Sequence, residues 1–567
     1  MKRNQWIPVG VAALTAALTA GCGGGAARAA GPVANPARSS GGAVLRTQGT
    51  GQAVSAVANN RFQTAARAMR QHDEANGGRG DWVAGTCNDV AGQFESAANE
   101  QPGGAFAEAW FNRGLVFDRC SMAEPARTAF QRAIDVSAQG NFCRARSMLA
   151  VYQMRANQTA DALATLENAI RLDRNCVEAY ANRATILRER NQGNDRVTAV
   201  GDIRQALARD DAFIPALNQL ALIYLAEAGD DPHSQRLMLA GIVCSQAAQL
   251  SAGQREGMTP AIRGYIADVY NTWGLIDIRS GQIIRALGHF QRAYESNPSM
   301  FEAWANYGTI NLSFRGYADA RIAFEHAIAL RGNDYDTHIG LGIALRGIGA
   351  QDLGRALERQ NQAQPLENQG NTAGAARLRA EAQALLARGN PLLEQARAEY
   401  ERAHALDGSR PDYYYNLGLL SEGYINVLAP DRIPDLDLAN RQLQDFIQRA
   451  GASPRYADAV TRATSHRRNN LHAIDELCAL FRLNSAGALP ATFAICHIDP
   501  NQRPIQPATP PAGATPPAAG AATPPAGGAA TPPAAGATPP AGAAATPPAA
   551  GATPATPPAA ARPAGAH

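Results

Sequence analysis

Lysine is almost absent from this sequence of 567 residues, in which Lys2 is the only one. A P-loop needs a lysine in its glycine-rich motif and Schiff-base chemistry needs a lysine amine, so the rest of the chain can perform neither. Lysine and arginine total 52 and the acidic residues 49; without Lys2 and Arg3, the counts are 50 and 49, a difference of +1. Such a balance gives no electrostatic reason to bind nucleic acid.

Catalytic and metal-binding patterns are also missing. The sequence contains no H-E-x-x-H, G-x-S-x-G or G-x-x-x-x-G-K motif. No two of its eight cysteines have C-x2-C spacing, and its ten histidines are scattered. His326 follows Glu325, but neighbouring residues point to different faces of a helix. We therefore expect no enzyme activity, no cofactor, no metal and no small-molecule substrate.

A pattern of small and aromatic residues repeats along the chain. Residues 303–330 form two amphipathic segments, with Trp304 and Gly308 in the first and Ala320, Phe324 and Ala327 in the second. The same classes of residue recur 34 positions earlier and later, at Tyr270, Gly274, Ala286, Phe290, Ala293, His338 and Gly342. Further copies include Trp110, Gly114, Ala126, Phe130, Ala133, Leu149, Ala162, Leu166, Tyr180, Ala184, Ile203, Leu217, Ala221, Ala396, Tyr400, Tyr414 and Gly418.

This repeat resembles the tetratricopeptide repeat (TPR), whose pattern is W-x2-L-G-x2-Y followed by A-x3-F and P at a period of 34 residues. The resemblance implies an all-α fold, a right-handed TPR superhelix (α-solenoid) of about eight helical hairpins. A bundle of unrelated helices is the alternative. Small residues would lie where two helices approach closely, and the aromatic residues would fill the gap to the next hairpin.

The N-terminus is predicted to be a lipoprotein signal peptide, residues 1–21. Lys2 and Arg3 precede an apolar segment from Ile7 to Ala20, which is too short for a transmembrane helix. The following Gly21-Cys22 resembles the end of a bacterial lipobox, which implies that Cys22 is lipid-modified. No Asp follows Cys22, and by the rule of that family this implies an outer-membrane protein that faces the periplasm. An ordinary signal peptide cut near Ala20 is the alternative.

The remaining chain divides by composition. Residues 22–50 are rich in Gly, Ala, Pro and Ser and predict a flexible tether. The predicted domains that follow are an N-terminal hairpin or cap at 51–104, the TPR array at 105–450 with insertions at 229–260 and 349–391, and a C-terminal helical cap, a helix pair, at 451–500. Residues 501–567 repeat ATPPAGA-type units and predict a disordered spacer, which is either a solvated tail or a segment that contacts the cell wall.

The cysteine positions predict three disulfides, because an exported protein meets an oxidising compartment. Adjacent antiparallel helices bring Cys87 near Cys120, and one hairpin returns the chain from Cys143 to Cys176. The third predicted pair is Cys478 with Cys496. Each bond would stabilise the fold by roughly 2 to 4 kcal/mol. Cys244 is left over on an apolar stripe and is predicted to be a buried free thiol.

In the superhelix that the TPR resemblance implies, the first helices line a concave groove that binds protein partners. The candidate groove residues are Asn112, Asn182, Arg188, Asn218, Asn271, Asn306, Arg346, Tyr415 and Asn416. An Asn two residues after the aromatic position is also a general preference of the repeat, so part of this signal is structural. The carboxylate clamp of some TPR co-chaperones does not fit, since its asparagine slots hold Leu115, Thr185, Thr309 and Leu419.

Taken with the lipobox, the paired cysteines and the lysine-poor composition, the repeat array resembles the TPR lipoproteins of the gliding-motility machinery of myxobacteria. That resemblance implies an outer-membrane scaffold, anchored by lipid, whose partners are other envelope motility proteins. One alternative is an assembly factor for type IV pili or outer-membrane proteins. Another is an enzyme or an activator of wall hydrolases, for which the sequence offers no catalytic residues.

Overall fold

A computed structural model of the chain describes residues 37–38, 45–47, 51–78, 81–252, 260–423, 432–484 and 493–498. The predicted signal peptide, its Cys22, most of the tether and the tail lie outside these residues. Within the predicted tether, however, two short strands, β1 Ala37–Arg38 and β2 Leu45–Arg46, pair antiparallel. The described part of the predicted flexible tether therefore contains secondary structure.

The described residues form nineteen α-helices. These are α1 Ala56–Gly78, α2 Ala84–Asn99, α3 Ala107–Arg119, α4 Ala123–Asp135, α5 Cys143–Arg155, α6 Thr159–Leu172, α7 Val177–Arg190, α8 Asp195–Leu207, α9 Ile214–Ala228, α10 Gln235–Ala252, α11 Pro260–Arg279, α12 Ile283–Ser296, α13 Phe301–Ser313, α14 Tyr317–Leu330, α15 Tyr335–Asn368, α16 Thr372–Leu406, α17 Asp412–Gly423, α18 Ile433–Ala450 and α19 Ala457–Asn484. None of the described helices is both long enough and apolar enough to cross a membrane.

Consecutive helices pack in pairs. An N-terminal hairpin of α1 and α2 precedes eight hairpins, from α3 with α4 to α17 with α18. The first helices of successive hairpins also touch, as α5 does with α7 and α13 with α15. The all-α array of about eight TPR-type hairpins is therefore confirmed.

Glycine in the first helix lets the second helix approach closely, as the repeat pattern predicted. A Cβ atom on Gly114 would lie 2.5 Å from the ring of Phe130, and one on Gly274 would lie 2.5 Å from the ring of Phe290. Both phenylalanines are fully buried. Any larger residue at these glycines would have to displace a core ring, which is why the pattern recurs from hairpin to hairpin.

Several turns between paired helices contain a residue in the left-handed conformation. Ser121, Asn157 and Arg315 have φ angles of 56°, 59° and 58°, and Gly281 has φ of 74° at the matching turn. Only glycine adopts this conformation without a steric cost. With Asn191, which has φ of 47° between α7 and α8, the turns of four hairpins therefore carry a side chain in this conformation.

The predicted insertion at 229–260 is wrong. This segment contains α10, which packs against α9 as the second helix of an ordinary hairpin. Its buried face carries Leu237, Ala240, Cys244 and Ala247 at helical spacing. Cys244 occupies the position that the aromatic residue has in the repeat pattern, so the sequence pattern does not identify this hairpin as a repeat.

The predicted insertion at 349–391 lengthens one hairpin, whose helices α15 and α16 have 34 and 35 residues. Two glycines let these helices meet, since a Cβ on Gly349 would lie 3.0 Å from the carbonyl oxygen of Gly389. Next to them, Arg388 donates two hydrogen bonds to Asp352, of 2.6 and 3.1 Å. The polar segment thus forms a paired helical extension.

The C-terminal cap is one helix, not the helix pair that we predicted. Helix α19 runs without interruption over 28 residues because its sequence contains no glycine or proline. A short 3-10 turn, Ala494–His497, follows it and is attached to the helix through a disulfide.

Candidate functional site

Two disulfides connect elements one repeat apart, each with a sequence separation of 33 residues. Cys87 on α2 is bonded to Cys120 after α3, with 6.5 Å between their Cα atoms. Cys143 begins α5 and is bonded to Cys176, just before α7, with a Cα distance of 5.8 Å. Both bonds are the ones that the cysteine positions predicted.

The third disulfide and the free cysteine also match the sequence prediction. Cys478 on α19 is bonded to Cys496, with a Cα distance of 5.6 Å. Cys244 is free and buried at 1% exposure, and burial raises the pKa of its thiol. A buried, protonated thiol is a poor nucleophile and a poor metal ligand.

One group of side chains has the spacing of metal ligands. Among the described residues, Glu178 lies beside Cys143 and Cys176, with the three ligand atoms within 4.8 Å of one another. Both sulfurs are joined in the disulfide, so neither offers the thiolate that a metal would need.

Five of the six asparagines predicted to line the groove are buried. Asn112, Asn182 and Asn416 are 0%, 3% and 2% exposed. Asn306 donates a hydrogen bond of 2.9 Å to Asn271, the equivalent residue 35 positions earlier. The Asn271–Asn306 pair therefore links successive hairpins, whereas Asn416 donates to a carbonyl oxygen of its own helix, and the most buried asparagines have almost no surface for a partner.

Asn182 also donates to a neighbouring first helix, to the carbonyl oxygen of Ser147 at 3.5 Å. Asn218 is buried at 8% exposure. Arg188 is half-buried and donates a hydrogen bond of 3.1 Å to Gln219 on the next first helix. Contacts between neighbouring first helices therefore account for Asn182 and Arg188.

The tyrosine run 413–415 is divided between core and surface. Tyr415 is 3% exposed, and its ring centroid lies 5.0 Å from that of Phe446. Tyr413 stacks on His404 at 4.2 Å, while the guanidinium of Arg449 lies over the ring of Tyr414. Tyr415 is thus a core residue, which the sequence did not distinguish from its half-buried neighbours.

The histidines within the repeats have structural partners. His289 makes a 2.9 Å contact with Asp277, and His338 makes one of 2.6 Å with Glu399. His326 is exposed and stacks on the indole of Trp304, with 4.4 Å between ring centroids. His289 and His338 therefore contact carboxylates inside the array, and His326 lies on its surface against Trp304.

An open cleft of about 790 Å³ lies between the C-terminal hairpins and the cap helix. Helices α15, α17, α18 and α19 form its walls. It is lined by Arg346, Ala350, Leu419, Glu422, Gly423, Arg432, Leu436, His466, Asn469, Asn470, Ala473, Glu476, Leu477 and Leu480. We call this the C-terminal cleft, and Arg346 is its only residue from the predicted groove set.

The charged groups of the C-terminal cleft are unevenly paired. Glu422 makes a 2.9 Å contact with His466. Arg432 donates to the main-chain carbonyl of Glu422 at 3.1 Å, and Arg346 donates a weak hydrogen bond of 3.4 Å to the hydroxyl of Tyr400. Within the part of the chain that the structure describes, neither arginine pairs with a carboxylate.

A buried amide also lines this cleft. Asn470 on α19 is 4% exposed, and its Nδ2 atom has no hydrogen-bond partner among the described residues. Sequence reasoning missed Arg432, His466 and Asn470 because they lie outside the first helices of recognisable repeats. No signal in the sequence marks them.

Comparisons with known proteins return solved structures that include TPR proteins. No protein-family profile and no curated protein matches the chain. A TPR protein from Parabacteroides merdae is 12% identical, with a TM-score of 0.35, over 51% of this chain and 99% of its own. PilF of Pseudomonas aeruginosa is 17% identical (TM-score 0.29; 43% and 97% covered), and PilW, a type IV pilus biogenesis factor, is 16% identical (0.28; 45% and 97%).

Similarities this low carry no argument about function. The description of the fold as an array of TPR-type hairpins rests on the helices of this chain and the contacts between them.

Proposed function

We propose that this protein is a TPR scaffold of the bacterial cell envelope, anchored in the outer membrane through a lipid on Cys22 and facing the periplasm. It would hold other envelope proteins together, and we propose that these proteins form the machinery for gliding motility. The lipobox-like segment and the repeat array support this proposal, together with the resemblance to gliding-motility lipoproteins.

The observation that carries the proposal is the set of three disulfides. Disulfides form and persist in oxidising compartments such as the periplasm and are rare in the cytosol. Six of the seven cysteines that follow Cys22 are used in these bonds, and the seventh is buried. This use of cysteine supports export, and export is what the apolar segment ending at Cys22 predicts.

The alternative machine is an assembly pathway for type IV pili or outer-membrane proteins. Both proposals use the same anchored scaffold, so they differ only in the partners that it holds. The partners must therefore be identified directly.

A pull-down from crosslinked membranes tests the proposal, with the intact lipoprotein as bait and Cys22→Ser as the matched control. We expect envelope motility proteins to co-purify with the intact protein and to be lost from the control. Recovery of a pilus secretin or of outer-membrane assembly proteins would move the function to the alternative. Recovery of the same proteins with both baits would argue against the anchor.

A further inference from the structure

We propose that the C-terminal cleft binds a peptide segment of a partner protein in which a carboxylate lies next to an apolar side chain. This inference rests on the proposed scaffold function, since it names the chemistry by which the scaffold holds one of its partners. The walls, the charges and one buried amide of the cleft each specify a part of that chemistry.

The apolar walls of the cleft favour a ligand with an apolar side chain. Leu419, Leu436 and Leu477 reach the cleft from three different helices, with Ala473 between them. Leu480, at the end of the same wall, is 52% exposed. A pocket of several hundred Å³ with apolar walls and a few polar groups is the usual form of a binding site. Burying a leucine-sized side chain here would also cover Leu480.

The two arginines of the cleft favour a ligand with a negative charge. Each carboxylate of the cleft contacts a histidine, Glu422 with His466 at 2.9 Å and Glu476 with His472 at 3.3 Å, and each contact is an ion pair when the histidine is protonated. Arg346 and Arg432 have no carboxylate partner within the described ranges. A guanidinium in a half-buried site gains most from a carboxylate, which it can bind through two parallel hydrogen bonds.

The buried amide selects a peptide over other apolar anions. Asn470 has an N–H donor in the cleft wall without a partner among the described residues, and leaving such a donor unpaired destabilises a complex. The carbonyl oxygen of a peptide main chain would accept this hydrogen bond. A fatty acid has a carboxylate and an apolar tail but no further acceptor, so it leaves Asn470 unsatisfied.

A random library of twelve-residue peptides displayed on phage is the probe, panned against the purified full mature protein. We expect selected peptides to be enriched in Asp or Glu beside Leu, Ile, Met or Phe. The best peptide is then synthesised with its C-terminus blocked, with it free, and with Asn or Gln in place of each acidic residue. The blocked and free forms distinguish a side-chain carboxylate from a C-terminal one.

Variants of the chain connect the binding to the cleft. Arg346→Gln with Arg432→Gln is expected to weaken binding of the selected peptide by at least about tenfold, since hydrogen bonds to charged groups are the stronger ones. Asn470→Leu is expected to weaken it by about fivefold. Arg355→Gln is the control, because Arg355 lies on the same helix α15 with a 63% exposed side chain and does not line the cleft. Circular dichroism confirms that each variant is folded.

Three results would overturn the inference: no enrichment of acidic residues, equal binding by the peptide without carboxylates, or equal binding by the double arginine variant. Tighter binding of a fatty acid, such as palmitate, than of any selected peptide would do the same. These results would leave the proposed scaffold untouched, because its test is the partners recovered from membranes. Conversely, loss of the anchored complexes would not change peptide binding by the purified protein.

Discussion

Phe324 lies between two glycines, and enlarging one of them probes the packing of the whole array. A Cβ on Gly308 would lie 3.0 Å from the ring of Phe324, and a Cβ on Gly340 would lie 2.4 Å from it on the next hairpin. Phe324 is fully buried. The ring cannot retreat from a methyl group at Gly340, because its other neighbours include the backbone at Gly308.

We expect Gly340→Ala to lower the free energy of unfolding. Overpacking a core costs about 1 to 3 kcal/mol, and replacing glycine by alanine within a helix returns about 1 kcal/mol, which leaves a net loss of up to about 2 kcal/mol. Gly288→Ala is the matched control, because a Cβ there would meet no atom within 4 Å. Helix propensity alone acts at Gly288, so that variant is expected to gain about 1 kcal/mol.

The assay is urea unfolding followed by circular dichroism for the unmodified protein and both variants. Replacing Phe324 by Leu in the Gly340→Ala protein makes room for the methyl group, so the combined loss is expected to be smaller than the sum of the two single losses. A Gly340→Ala protein as stable as the Gly288→Ala control would refute the reasoning. It would mean that the hairpins pack less closely than these contacts indicate.

Three further predictions concern the disulfides, the turns and pH. Replacing Cys143 and Cys176 by Ser is expected to lower the free energy of unfolding by about 3 kcal/mol, measured in urea; no change would show that the bond does not constrain the unfolded chain. Arg315→Gly is expected to raise it by about 1 kcal/mol by relieving the φ angle of 58°, and a loss would contradict this. A hydrogen bond to Glu399 raises the pKa of His338, so protonated His338 stabilises the folded protein. We therefore expect the difference in free energy of unfolding between the unmodified protein and His338→Gln to be largest below about pH 6.5 and to decrease as the pH rises through the raised pKa. A difference that stays constant from pH 5 to 8 would disprove the linkage.

The sequence predicted the repeats well because their pattern has a direct steric cause. Residues 114 and 274 must be glycine where Phe130 and Phe290 pack, and both pairs have the same spacing in the sequence. The disulfides were predictable for a similar reason, since a separation of 33 residues returns the chain to the same edge of the array. Where Cys244 replaces the aromatic residue, the pattern fails and the repeat was mistaken for an insertion.

The candidate site was less predictable. Position within a first helix marks Asn112 and Asn416 as groove residues, but burial depends on how closely the next first helix packs, and the sequence does not contain that distance. The C-terminal cleft combines Arg346 with Asn470, 124 positions apart on two non-adjacent elements. Contacts of this kind depend on where the cap helix α19 lies, and no repeat motif specifies it.

Mass spectrometry of the protein extracted from its native cells, after alkylation of all free thiols under denaturing conditions, tests the central claim most directly. An exported and anchored scaffold is expected to begin at Cys22 with the mass of a lipid attached, and to carry one alkylated cysteine, Cys244. A chain that begins at Met1, without lipid and with all eight cysteines alkylated, would contradict both export and the anchor.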